Sequence, residues 1–315
     1  MSYSRSQLRA VILIAYVACP AAILAYGLTL FNTALVGRLL YAFAEVNFFL
    51  LLYSIGHWEF IGFSFRKLSL GASVVVAVLL GMAGGGSQTS TVQFVGFGVV
   101  GIALTTLRWQ VYLAGRIPDH GLDLMFPLRN GRYVSTDGGD GKRSALINYH
   151  YRASIHQGAT TNRSMAYAVD IVKLGPRGLS ARGWVPSTLS AYHIYDEPVH
   201  APLEGAIVAV VDGIPNNEPF VGPYPYSVGN HVVIQSGPIY VILGHLNSGS
   251  LRVKIGDVVR AGDLLGRIGN SGLTERPHLH LQACAGPDGD YWKGEGVPVM
   301  FDGVVPAKGQ MFDRK

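Results

Sequence analysis

From Leu8 to about Gly115 apolar residues run in long stretches, broken only by short polar or glycine-rich intervals. The stretches cover 8–31, 35–56, 68–86 and 92–115. The first, LRAVILIAYVACPAAILAYGLTLF, is long enough as a helix to cross ~30 Å of hydrocarbon at about 1.5 Å per residue. Its apolar core is too long for a cleaved signal peptide, and another apolar stretch follows almost at once. Pro20 predicts a kink in it. A buried helical bundle of a soluble protein would need more charge on its outer faces. The pattern therefore predicts three or four membrane helices. The third stretch, LSLGASVVVAVLLGMAGGG, is the shortest and the first candidate for a partial or re-entrant span. Glu45 falls in the second, where a charge is costly, and is expected near a helix end or paired inside the bundle.

Beyond residue 118 the grammar changes to short runs rich in Val and Ile, punctuated by Gly, Pro, Asn and Asp. EGAIVAVVDG (204–213), GNHVVIQSGPIYVILGHL (229–246) and GDVVRAGDLLGRIGNSG (256–272) read as strands and turns. No helix is predicted between 200 and 300. The expected architecture is multi-domain: an N-terminal α-helical transmembrane bundle (1–117), a linker with an opening loop or strand (118–145), and a mostly antiparallel β domain (146–315).

Composition sharpens this division. Hydrophobic residues make up 49% of the chain and charged residues 14%, well under the ~25% usual in soluble domains. The net charge of +5 is spread out, and no Lys/Arg block marks a nucleic-acid partner. Cys19 and Cys284 are too few for a disulfide framework. Arg5 and Arg9 precede the first helix, Arg66 and Lys67 lie between the second and third, and Arg108 and Arg116 flank the end of the last. The loop GGGSQTSTVQ carries no charge. The positive-inside rule puts the basic segments in the cytoplasm, and with four full spans the second half would follow them.

The candidate chemistry lies in the β half. In TERPHLHLQA (274–283), His278 and His280 share one face of a strand, because residues two apart point the same way. Such a pair suits a metal ion, or a metal ligand beside a general base, and it also fits an ordinary half-polar strand. A catalytic zinc takes three protein ligands and keeps a position for water. Asp170, in AYAVDIVKL, places a carboxylate inside a predicted strand, which is expensive unless it is paired or bound to metal. His245 ends an apolar strand in YVILGHLNSGS. Upstream, His150 in INYHYRA and His156 in IHQGA are both available. Singly each has a plain reading: Asp170 paired with an arginine, His245 capping a turn, His150 on the surface. GDVVRAGDLLGRIG is also similar to the hairpins of biotinyl and lipoyl carriers, but no lysine occupies the fitting turn.

The order GHL, then VKIGDVVRAGDLLGRIGNSGLTERPHLHLQ, resembles the end of the lysostaphin/LytM-type zinc metallopeptidase domain, of duplicated-hybrid-motif fold. The resemblance covers about 145–285 and is strongest over 229–283. It implies that Asp170 and His280 bind Zn2+ with an upstream histidine as third ligand, and that His245 and His278 form the catalytic pair. The family's first histidine usually stands a few residues before the aspartate, whereas here His156 is 14 and His150 is 20 residues before Asp170. NYHY…YAVDIVKL is similar to a subgroup with a longer intervening loop whose NYHY histidine is the ligand, so His150 is taken. His231, in GNHVVI, is expected to be structural. The resemblance further implies a hydrolase, a membrane-anchored zinc metalloendopeptidase acting on peptidoglycan cross-bridges or stem peptides. The alternative is an inactive wall-binding or regulatory module of the same fold. A wall substrate implies a multi-pass protein of a bacterial inner or cell membrane, with the peptidase domain facing the periplasm or exterior. That opposes the charge count, but large domains cross regardless of flanking charge, and one stretch need not span.

Overall fold

The computed structural model describes residues 4–86, 88–116, 121–152, 162–222, 227–286 and 290–315. The N-terminal half is helical: α1 (Arg5–Leu13), α2 (Cys19–Thr29), α3 (Leu35–Ile55), α4 (Phe63–Met82) and α5 (Thr91–Ala114). Ser4 opens α1 and Ser90 opens α5, each in a capping box with the glutamine three residues on. α1 and α2 form one continuous span joined by a π-helical turn, Ile14–Ala18. Pro20 follows directly. A proline ring clashes with the carbonyl four residues back, and the wider turn makes room for it.

Among the described residues four helical segments are long and apolar enough to cross a membrane: Arg5–Asn32, Leu35–Ile55, Phe63–Met82 and Thr91–Ala114. The third is a 20-residue helix like its neighbours, so nothing in its length marks it as partial. Only 6% of the last span's apolar window is buried within the protein. Val92, Val99 and Ile102 point outward, as a lipid-facing surface requires. α3 packs against both α4 and α5. Of the two placements expected for Glu45, near a helix end or inside the bundle, it takes the second: it lies mid-helix in α3, buried between helices.

The second half is built on strands. In chain order they are β1 (Leu122–Leu124), β2 (Gly131–Asp137), β3 (Val169–Leu174), β4 (Pro198–His200), β5 (Gly205–Val211) and β6 (Asn230–Ser236). Then come β7 (Ile239–Leu246), β8 (Val258–Val259), β9 (Leu264–Arg267) and β10 (Leu279–Ala285). β11 (Glu295–Gly296), β12 (Val299–Phe301) and β13 (Met311–Arg314) complete the set. The main sheet runs β13-β2-β3-β10-β7-β6-β5-β8, with β11 added to β10 and every pairing antiparallel. β2 comes from the stretch that the sequence pattern reads as a linker with an opening loop or strand; its Tyr133 and Val134 are fully buried, as a sheet strand's are.

Alternation builds the core. Val169, Ile171, Val232, Ile234, Val241, Leu243, Leu279 and Leu281 face one buried side of the sheet. Their neighbours on the other side include the polar residues of interest. The register sets His280 of β10 against Asp170 of β3 and against Gly244 of β7, so three adjacent strands converge on one point.

The two halves meet along a seam. Trp58, in the turn between α3 and α4, is 1% exposed and packs with Phe63, Val134, Val172 and Leu174. Ile12 of α1 packs with Ala181, Val185, Tyr192 and Phe220. Ile147 packs with Leu51, Val111 and Ala114, and Asp140 N–H donates to the Ala114 carbonyl at 2.7 Å. Close approach at the seam needs glycine. A Cβ on Gly62 (φ +107°) would lie 2.8 Å from the Arg177 carbonyl, and one on Gly178 (φ +74°) would lie 2.8 Å from Phe63. The start of α1, the α3–α4 turn and the end of α5 thus all touch the β domain.

Candidate metal centre

His150, Asp170 and His280 come together with ligand atoms all within 4.8 Å of one another. Each is buried. His150 Nε2 lies 3.3 Å from Asp170 Oδ2, and His280 Nδ1 lies 3.0 Å from Oδ1. β3 and β10 supply Asp170 and His280 in direct register. His150 comes from an irregular segment and is held there by Asn148. The Asn148 amide donates to the carbonyls of Gly139 (2.9 Å), Ala166 (3.3 Å) and Ala168 (3.0 Å). That fixes its orientation and turns Oδ1 toward His150 Nδ1, 2.9 Å away. On the other flank Gln282 Oε1 lies 3.1 Å from His280 Nε2.

These outer contacts define the inner ones. Each histidine donates its outer N–H to an amide oxygen, so the inner nitrogens present lone pairs to an ionised carboxylate. Lone pairs and a carboxylate at this spacing repel unless a cation or proton lies among them. Two imidazoles and one carboxylate, buried and oriented from behind, fit a zinc ion with an open position. Burial pushes the Asp170 carboxyl up, but His150 and His278 beside it hold it well below the usual carboxylate range. Burial pushes the His150 imidazole down and Asp170 overrules it, leaving a net rise. His280 is lowered by burial, against the pull of Asp170.

His245 and His278 stand beside this cluster, their ring centroids 4.7 Å apart. His278 Nδ1 donates to the Arg276 carbonyl at 2.9 Å, and its Nε2 lies 3.4 Å from Asp170 Oδ1. His245 Nδ1 donates to the Ser271 carbonyl at 2.8 Å. Both rings thus have Nδ1 committed to main chain and Nε2 left for the pocket that they line with the three candidate ligands. His245 adopts φ +61°, the left-handed region that a non-glycine residue seldom occupies. That conformation takes its ring out of the β7 alternation. Burial, together with His278 and His280, holds its pKa well below the usual value, so it stays neutral and able to accept a proton.

His150, Asp170, His245, His278 and His280 therefore share one pocket. His156 lies outside the described residues. His231 is buried, donates Nδ1–H to the Gly229 carbonyl at 2.7 Å and sits edge-on to Trp292; it does not line the pocket. The sequence reading passed over Asn148, Gln282 and Tyr149. The first two stand two residues from a proposed ligand, which was the available signal for Gln282 on its strand. Tyr149 stacks on His150 with centroids 4.6 Å apart and remains 49% exposed, which places it at the pocket mouth.

Comparison with known proteins adds the following. Residues 191–310 match the model of peptidase family M23; His150 and Asp170 lie ahead of the matched stretch. An uncharacterized metalloprotease of Buchnera aphidicola subsp. Baizongia pistaciae is 33% identical over 81 residues, 26% of this chain and 20% of that protein. Endolysin 2638A of Staphylococcus phage 2638A is 50% identical over 44 residues, 13% of this chain and 9% of that protein. The chain thus spans a fifth or less of the length of these relatives. Among solved structures, the catalytic domain of the prophage-encoded M23 protein EnpA from Enterococcus faecalis is similar at 18% identity. That match has a TM-score of 0.32 and covers 54% of this chain and 92% of that one.

Proposed function

Since residues 191–310 belong to an M23 peptidase domain, we propose that the chain is a membrane-anchored zinc metalloendopeptidase cutting peptide bonds in peptidoglycan cross-bridges or stem peptides. The observation that carries this reading is the convergence of His150, Asp170 and His280, each histidine oriented by an amide oxygen, beside two further imidazoles. In it, His150 Nε2, Asp170 and His280 Nδ1 hold the metal.

A bound zinc ion supplies a Lewis acid and a water acidic enough to ionise near neutral pH. The protein's own groups do the rest. His245, neutral and with Nδ1–H tied to Ser271, takes a proton at Nε2 from the attacking water and returns it to the departing amine. His278, whose Nδ1–H is held by the Arg276 carbonyl, stabilises the oxygen that gains charge as the peptide carbon becomes tetrahedral when Nε2 carries a proton as well, so that Nε2–H donates to it. Tyr149 forms one wall against which a peptide can lie. The buried sheet behind the cluster excludes water from all but the open side.

The peptidase domain, in this reading, faces the periplasm or cell exterior, where peptidoglycan is. The basic residues on its side of the bundle favour a second reading, in which it faces the cytoplasm and acts on other peptides. The test is full-length protein in detergent, assayed for zinc stoichiometry and for new amino termini in purified peptidoglycan. One zinc per chain, with amino termini lost in His245→Ala, is expected. Stoichiometric zinc without hydrolysis would make the domain a binding module, and absence of both would overturn the reading.

A further inference from the structure

The α3–α4 turn reaches beneath the loop that carries His278. Glu59, in that turn, is 2% exposed, and its Oε1 accepts from Arg276 Nη2 at 2.6 Å. The Glu59 backbone carbonyl accepts from Ser180 N–H at 2.9 Å and from Ser180 Oγ at 3.2 Å, so the turn is pinned to the β domain. The Arg276 guanidinium also lies 4.2 Å over the ring of Phe60. The main chain of the same arginine serves the other end: its carbonyl accepts from His278 Nδ1 at 2.9 Å and from Thr274 Oγ1 at 2.8 Å. Arg276 is thus tied by its side chain to the membrane half and by its carbonyl to the imidazole at the centre.

A second thread leaves the same turn. His57 donates Nδ1–H to Glu59 at 3.1 Å, and its Nε2 accepts from Lys308 at 3.1 Å. Lys308 lies 3.8 Å from Asp137, which opposes Asp170 in the sheet register. The turn therefore touches both flanks of the cluster.

We propose that Glu59 is a positioning residue for His278, acting through Arg276, so that the membrane bundle sets the geometry of the pocket. The inference rests on His278 being one of the catalytic pair. Its physical basis is the cost of a buried, unpaired guanidinium. Without the Glu59 charge, Arg276 swings toward water and carries its carbonyl with it. The exposed Leu273 leaves the outer side of the loop open to such a shift. His278 then loses the acceptor that sets its tautomer and direction.

The experiment uses the full chain in lipid nanodiscs and compares wild type with Glu59→Gln, Glu59→Asp and Arg5→Ala. Arg5 pairs with Glu218 elsewhere on the seam, at 2.9 Å, so its variant loosens docking and leaves the Glu59–Arg276 contact in place. Amide hydrogen exchange over 272–278 is expected to rise about tenfold in Glu59→Gln alone, an opening local to that loop, and to return toward wild type in Glu59→Asp. Turnover of peptidoglycan should fall on the order of 10²-fold, the cost of about 1 Å of misplacement, with KM and zinc content unchanged. Unaltered exchange over 272–278 in Glu59→Gln, or an equal rise in Arg5→Ala, would overturn the proposal. Failure of the wild type itself to cut peptidoglycan would count against the catalytic reading alone, since exchange judges the contact without substrate.

Discussion

His245 occupies a backbone conformation for which glycine is the ordinary choice, and it does so in the buried lining of the pocket. Strain of that kind, about 1–3 kcal/mol, persists where the surroundings dictate it; here the Ser271 and Val228 carbonyls hold the ring and the main chain. His245→Gly should therefore be more stable than His245→Ala by about 1 kcal/mol, read from thermal midpoints in detergent. Both should keep zinc and lose turnover by about 10²–10⁴-fold. Asn148→Ala should weaken zinc about 10–100-fold, measured by chelator competition, because His150 loses the oxygen that sets its tautomer. The sequence made His-x-His and Asp170 legible through strand parity and the cost of a carboxylate in a strand. It did not point to Asn148, whose role depends on three carbonyls brought together by folding.

At the scale of elements, β3, β10 and β7 are far apart in sequence and adjacent in the sheet, which is how Asp170, His280 and His245 meet. Apolar stretches and Val/Ile runs announced the helices and most strands. β2 was left open between loop and strand because Arg132, Ser135 and Thr136 break its apolar run, although Ser135 and Thr136 are buried and the strand lies between β13 and β3. The seam was beyond reach of pattern altogether: periodicity shows which faces are apolar, not which two faces join. Its tightest point is the paired glycines. Gly62→Ala should cost roughly 1–3 kcal/mol, since its Cβ meets the Arg177 carbonyl, seen as a lower urea midpoint with burial of Trp58 lost first.

For the whole molecule the question is side. Four complete crossings would put the β domain, the α3–α4 turn and the start of α1 on one face and Gly85 on the other. A cysteine at exposed Glu204 should be labelled by an impermeant maleimide on intact spheroplasts, and one at Gly85 only after lysis; the reverse would place the domain in the cytoplasm. The seam also sets an acid limit. Burial alone would raise the Glu59 carboxyl, but His57 and Arg276 hold it at about 2, below its ordinary 4.5. A carboxyl so lowered adds stability in full above about 4.5 and loses it as the pH falls toward about 2. Wild-type urea midpoints should fall over that range more steeply than those of Glu59→Gln.

The Glu59–Arg276 contact joins residues 217 positions apart. A ribosome finishes the first three spans long before it reaches the arginine. Through that interval the turn carries a carboxylate answered only by its neighbour His57, and a Trp58 without the strand residues that later cover it. The helical half is thus a template that waits, and the last third of the chain, arriving late, closes both the sheet and the seam.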